Sequence, residues 1–249
     1  MTAALETQGL AKRFGGIVAT NDVTFRLEKG ARHALIGPNG AGKTTFVNLL
    51  TGVLPPSAGR VLLGGEDVTR LRPEARVRRG LVRTFQINQL FADLTPLETL
   101  SLAVSERLGQ GARWRRPVGG DALARDVDEV AERFGLADAL DVRTDTLPYG
   151  KQRLLEIAVA FACAPRVLLL DEPAAGVPAA ERKGILDAIA TLPADVSVLL
   201  IEHDMGLVFD FAQRISVLVE GALLTEGTPG EIAADPRVKA VYLDEAEHG

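Results

Sequence analysis

The sequence predicts an α/β protein: a mainly parallel sheet covered on both faces, with an antiparallel β section at the N-terminus and an inserted helical subdomain. Three observations predict it. Short apolar runs alternate with helical periodicity toward both ends of the chain, the pattern of parallel strands joined by helices. From about Thr95 to Cys163 the periodicity is helical and strand-like runs are few. A glycine-rich loop lies between an apolar run and a helix at residues 37–45.

Residues 4–10 and 21–27 alternate loosely and read as strands. The turn Glu28, Lys29, Gly30 leads into a strand at 31–36, and 46–50 fits one face of a helix that Gly52 ends. Residues 60–63 followed by Gly64 and Gly65 signal a hairpin, and 82–85 a further strand. Residues 121–134 are charged on one face and carry Val127, Val130, Ala131 and Phe134 on the other. Residues 151–163 form a second amphipathic helix. Strands at 167–170, 196–201 and 215–219 then alternate with helices at 179–192 and 205–211. Residues 246–249 are expected to fray. The reading is one domain over 1–249, with 1–85 and 164–249 as the α/β core and 86–163 as the helical subdomain.

The 249 residues, 47% of them hydrophobic, suffice for a sizeable core. The longest apolar runs span four to six residues, far short of the roughly 20 that cross a membrane. No apolar leader follows Met1, so a soluble, cytosolic protein is expected. The single cysteine, Cys163, excludes an internal disulfide and sits in an apolar stretch, as a buried thiol does. A net charge of −5 gives no electrostatic case for nucleic acid as a partner. The basic patch Arg113, Trp114, Arg115, Arg116 lies among glycines and reads as a solvated loop.

GPNGAGKTT, residues 37–45, has the spacing of a phosphate-binding loop, and its place between a strand and a helix is the confirming context. The loop Gly37, Pro38, Asn39, Gly40, Ala41, Gly42, Lys43, Thr44 and Thr45 would wrap the phosphates of a nucleotide with its backbone N–H groups. Lys43 would reach the β and γ phosphates and the Thr44 hydroxyl would bind Mg²⁺. The glycines let the backbone approach the anion, and the following helix adds its positive end.

The all-apolar run 167–170 ends in Asp171, Glu172 and Pro173. Carboxylates at the C-terminal end of a central strand lie where such sheets bind ligands. Asp171 is placed to hold Mg²⁺ through water, and Glu172, on the other side of the strand, to orient or deprotonate the attacking water. The run 196–201 repeats the design and ends in Glu202, His203 and Asp204, so His203 shares that edge and could contact the γ-phosphate. Gln86, after the strand-like 82–85, offers a neutral amide to Mg²⁺. Phe14 could stack on adenine or serve as an ordinary core aromatic; spacing alone does not choose.

Together the motifs GPNGAGKTT (37–45), TFQ (84–86), LPYGKQRLLEIA (147–158), VLLLDEP (167–173) and IEHD (201–204) resemble the ATP-binding subunits of ABC transporters over the whole chain. The resemblance implies an ABC ATPase fold. It implies adenine stacking for Phe14, a Mg²⁺ ligand in Gln86, a catalytic carboxylate in Glu172 and a switch histidine in His203. The segment from Pro148 to Gln152 resembles the signature motif that closes on ATP held by a second subunit. RTFQINQLFADLTPLETL (83–100), DEPAAGV (171–177) and EGTPGEIAADPRVKAVYL (226–243) are similar to the ATP-binding subunits of branched-chain and hydrophobic amino-acid importers. Such systems imply two membrane permeases, contacted here near residues 86–100, and a binding protein. They also imply a peripheral site on the cytoplasmic face of the inner membrane. The lipopolysaccharide-export ATPase is the nearest alternative.

Each motif occurs once, so a complete site needs a second chain, and ATP is expected to close a dimer that hydrolysis reopens. Two positions depart from the family pattern. Pro148 holds the signature serine position, and Pro178 the aspartate position after the Asp-Glu-Pro motif. Proline supplies neither a hydroxyl nor an N–H, so an asymmetric pair with a different ATP-binding chain is expected. A soluble ABC ATPase acting on ribosomes or DNA would carry two cassettes or a long coiled-coil insertion. A GTPase would carry an Asn-Lys-x-Asp motif. An inactive regulator would lack Lys43, Asp171, Glu172 or His203. None of these patterns is met. The transported substrate is not legible, because an ATP-binding subunit does not touch the cargo.

Overall fold

The computed structural model describes residues 3–84, 90–109 and 120–248. Among them the strands form two sheets. The first is four-stranded and antiparallel, in the order β2-β1-β4-β5. Strand β1 (Leu5–Phe14) forms a hairpin with β2 (Ile17–Leu27) and pairs on its other side with β4 (Ala58–Leu63). The glycine pair at 64–65 turns β4 back onto β5 (Glu66–Asp67), as the hairpin signal predicts.

The second sheet is six-stranded, in the order β10-β9-β3-β8-β7-β6. Strands β3 (Arg32–Ile36), β6 (Leu81–Arg83), β7 (Val167–Asp171), β8 (Ser197–Ile201) and β9 (Arg214–Val219) run parallel. Strand β10 (Ala222–Gly227) closes one edge antiparallel to β9. Leu35, Ile201 and Asp171 stand in one register row across β3, β8 and β7. The loops that follow these strands therefore leave the sheet side by side, about 4.8 Å apart per strand.

The central strands are apolar on both faces because both faces are covered. Leu168, Leu170, Val198 and Leu200 pack with the helices α3 (Pro96–Arg107), α4 (Asp121–Arg133), α5 (Tyr149–Ala162) and α6 (Ala179–Ala190). Val167, Leu169, Leu199 and Ile201 face the first sheet and α1 (Lys43–Thr51), around Phe25 and Phe46. A third cluster joins Ala34, Ile215 and Val217 to α7 (Met205–Phe211), α8 (Pro229–Ala234) and α9 (Pro236–His248). In α4 the predicted face, Val127, Val130 and Ala131 with Phe134 after it, is buried. Helix α3 starts at a reciprocal cap: Thr95 Oγ1 accepts from the Glu98 amide, and Glu98 accepts from the Thr95 amide at 2.8 Å.

Some elements go beyond the sequence reading. The short helix α2 (Pro73–Val77), strand β10 and helices α8 and α9 were not anticipated. The β9–β10 turn places both Glu220 and Gly221 at positive φ, the twist that tight hairpins need, so an apolar run becomes an edge strand. Helix α9 runs to His248, against the expected fraying from 246; Pro236 opens it at the first helical position. Among the described residues no helix is long and apolar enough to cross a membrane. Cys163 is partly buried, and burial raises its thiol pKa.

Candidate active site

The phosphate-binding loop is wedged between two strands. A Cβ on Gly37 would lie 2.1 Å from the Leu218 carbonyl of β9, and one on Gly42 would lie 2.5 Å from the Ala19 carbonyl of β2. Gly42 also has φ 95, a left-handed conformation that a side chain resists, and it is the N-cap of α1 with no side-chain cap bond. The Gly221 amide donates to the Ala41 carbonyl at 2.8 Å, so the β9–β10 turn braces the loop. Lys43 Nζ folds over the loop and donates to the Gly37 and Pro38 carbonyls at 2.5 and 2.9 Å. The first amides of α1, together with the helix dipole, make this end attractive to anions. Asn39, Gly40 and Thr44 are exposed.

Asp171 ends β7 and is buried. Its Oδ2 accepts from an Arg83 terminal nitrogen at 2.5 Å, and the other terminal nitrogen of Arg83 donates to Asn48 Oδ1 at 2.6 Å. Glu172 is one of few non-glycine residues at positive φ (46), a strained backbone held by its amide bond to the Ile201 carbonyl at 2.9 Å. That turn aims its carboxylate toward β8, where Oε1 lies 3.7 Å from His203 Nδ1. His203 is largely exposed, so the pair faces solvent at the sheet edge. Beneath it Glu202 is buried. Its two oxygens accept from the Ala174 and His203 amides at 3.4 and 3.2 Å, and burial raises its carboxyl above the ordinary range.

Magnesium fits the donors present. A hydroxyl, Thr44, and a carboxylate, Asp171, are hard oxygen ligands. Among the described residues no group of three His, Cys, Asp or Glu could hold a metal.

The structure thus brings Lys43, Thr44, Asp171, Glu172 and His203 to neighbouring strand ends. Phe14 stands at the tip of the β1–β2 hairpin, 46% exposed, on the same hairpin whose Ala19 carbonyl abuts Gly42. Gln86 lies outside the described residues, as does the basic patch at 113–116. Sequence reasoning missed Arg83, Asn48 and Glu202. The available signal for Arg83 was a charged residue closing an apolar strand run.

The signature-like segment forms the start of α5, with Pro148 as its N-cap and Pro148 O accepting the Gln152 amide at 3.1 Å. Tyr149 Oη and an Arg153 guanidinium nitrogen both donate to the Ala175 carbonyl, just beyond the Asp171–Glu172 pair, at 3.2 and 3.4 Å. Lys151 Nζ is held by both Asp138 oxygens at 2.6 and 2.7 Å. At the far end of α5 an apolar groove of about 330 Å³ is lined by Val53, Val77, Val82, Leu90, Val159 and Cys163. Phe91 and Leu97 are exposed, while Leu90, which lines the groove, packs partly into the core.

Fold and site define a P-loop ATPase. The chain belongs to the ABC transporter family, whose model matches residues 20–175. It is 40% identical over 250 aligned positions to the high-affinity branched-chain amino acid transport ATP-binding protein BraF of Pseudomonas aeruginosa, covering 97% of this chain and 98% of that one. LivG of Escherichia coli, of the same description, has the same identity and coverage. Among solved structures, the ADP conformation of an ATP-binding cassette of an ABC transporter superposes with a TM-score of 0.86 at 28% identity, covering 98% and 99% of the two chains.

Proposed function

We propose that this chain is the ATP-hydrolysing subunit of an importer of branched-chain or other hydrophobic amino acids. The observation that carries the reading is the shared sheet edge. The Lys43 loop, Asp171, Glu172 and His203 leave adjacent parallel strands from one register row. The names of the full-length relatives support import over lipopolysaccharide export.

In this reading the loop amides and Lys43 hold the β and γ phosphates, and Phe14 stacks on the adenine. Thr44, Gln86 and Asp171 would hold magnesium, which would supply neutralisation of charge on the phosphate oxygens. Glu172 accepts a proton from the attacking water; His203, next to its carboxylate, contacts the γ-phosphate. The segment 148–152 faces ATP held by a second, different ATP-binding chain. The apolar groove and residues 86–100 receive two membrane permeases, and a binding protein delivers the cargo. This places the chain at the cytoplasmic face of the inner membrane without spanning it.

Glu172→Gln keeps the shape of the side chain and removes the base. ATP hydrolysis by the purified complex should fall by about a hundredfold or more while ATP affinity holds within about threefold. Unchanged turnover in a phosphate-release assay would refute the assignment of Glu172. No stimulation of transport by ATP in reconstituted vesicles would refute the transporter reading.

A further inference from the structure

We propose that Arg83 is a resident counter-ion of Asp171 that makes magnesium capture depend on nucleotide. The inference rests on the reading of Asp171 as the magnesium carboxylate. It deepens that reading by assigning a positioning role to a residue of the neighbouring strand.

The Asp171 side chain is 5% exposed and that of Arg83 11%. A carboxylate this buried needs a cation beside it, because ionisation without one is strongly unfavourable. Arg83 supplies it at 2.5 Å. The guanidinium is not free to swing away. Its second terminal nitrogen is tied to Asn48 Oδ1 at 2.6 Å, and its strand pairs with β7 through Arg83 and Leu169. Asn48 lies one helical turn after Thr44 on α1, so the two share a face. The Arg83 guanidinium therefore bridges the helix that offers the hydroxyl ligand and the strand that offers the carboxylate. Lys43 adds a second positive charge at the start of the same helix.

A divalent ion alone meets a carboxylate already neutralised by arginine, next to another cation, and is repelled. A triphosphate brings negative charge that reverses the balance. Asp171, with Arg83 left in place to fix its carboxylate rotamer, would then take up magnesium only as part of the nucleotide complex. Arginine suits this role better than lysine, because its planar fork engages Asp171 and Asn48 at once.

The test measures Mn²⁺ binding to the full chain by paramagnetic resonance, with and without ATP. Without nucleotide, Arg83→Met should bind Mn²⁺ at least about tenfold more tightly than the wild type. Arg83→Lys should stay close to the wild type, and Asp171→Asn should abolish the gain in the Arg83→Met background. With ATP, wild type and Arg83→Met should agree within about threefold. Equal bare-metal affinity of folded wild type and Arg83→Met overturns the proposal. So does a wild type that binds Mn²⁺ as tightly without ATP as with it, a measurement that needs no variant and decides the matter if Arg83→Met does not fold. Asp171→Asn in an otherwise native chain separates the two readings. If it leaves Mn²⁺–ATP binding unchanged, the assignment of Asp171 fails, whatever Arg83 does.

Discussion

At the scale of single residues one pH-sensitive group, His33, lies outside the nucleotide edge. His33 is buried in β3. Its Nε2 lies 2.8 Å from Ser216 Oγ, its ring meets Phe25 edge-on, and Glu226 stands 3.9 Å away. Burial pushes its pKa down to about 4; Glu226 pulls it up and Arg214 pushes it down. The unfolded chain, near 6.5, binds the proton more readily, so this stabilisation is complete above about pH 6.5 and is lost as pH falls toward 4. Stability should drop by about 2 kcal/mol between pH 7.5 and 5 from this group. In urea unfolding at both pH values, His33→Gln should lose that part of the slope; an unaltered slope contradicts the assignment. The placement of Lys43, Asp171, Glu172 and His203 at neighbouring strand ends was legible in the sequence because each sits at a fixed offset from an apolar strand or a glycine loop. Arg83 was not, because its partners lie 35 and 88 positions away and only strand pairing and helix docking bring them together.

At the scale of elements, the phosphate-loop helix is held at both ends. Its C-terminal carbonyls, Leu49 and Leu50, accept from Arg76 at 2.8 and 2.5 Å, and the same guanidinium donates to Leu71 and Thr69 carbonyls. Arg76 is 1% exposed, and burial lowers its pKa to about 10. A cation at a helix C-terminus is favourable, and here it also satisfies orphan carbonyls. Arg76→Met should cost about 2–4 kcal/mol in urea unfolding, and Arg76→Lys should recover only part of that. A loss below about 0.5 kcal/mol would mean the bonds matter little. The helix carrying Arg76 was invisible to sequence reading, since five residues give no periodicity to detect. Helices α4 and α5 were visible because each shows several turns of one apolar face. Strand β10 was missed because its edge position leaves it half buried, without the alternation of a covered strand.

At the scale of the molecule, one sheet edge carries the phosphate loop and the acidic and histidine residues, and the start of α5 is bonded to the Ala175 carbonyl just beyond them. Pro148 and Pro178 are the N-caps of α5 and α6, and in the proposed mixed dimer they alter what this chain offers its neighbour. Glu172→Gln here should therefore reduce turnover of a mixed dimer more than the matching change in a partner with an intact signature, and equal losses would contradict the asymmetry. Phe91 is 62% exposed and follows Leu90, which lines the apolar groove. Phe91→Asp should abolish transport in vesicles while ATP binding stays within about twofold, because the change lies on a surface. Transport at the native rate would exclude this surface from coupling.

Helix α5 has a mechanical corollary. One end grips the Ala175 carbonyl through Tyr149 and Arg153; the other, at Val159 and Cys163, forms a wall of the apolar groove. Its 14 residues make a strut, about 21 Å long at 1.5 Å per residue. In the proposed transporter a push on the groove wall would reach, along that rod, the peptide three positions past Glu172, and a shift of that peptide would return the same way.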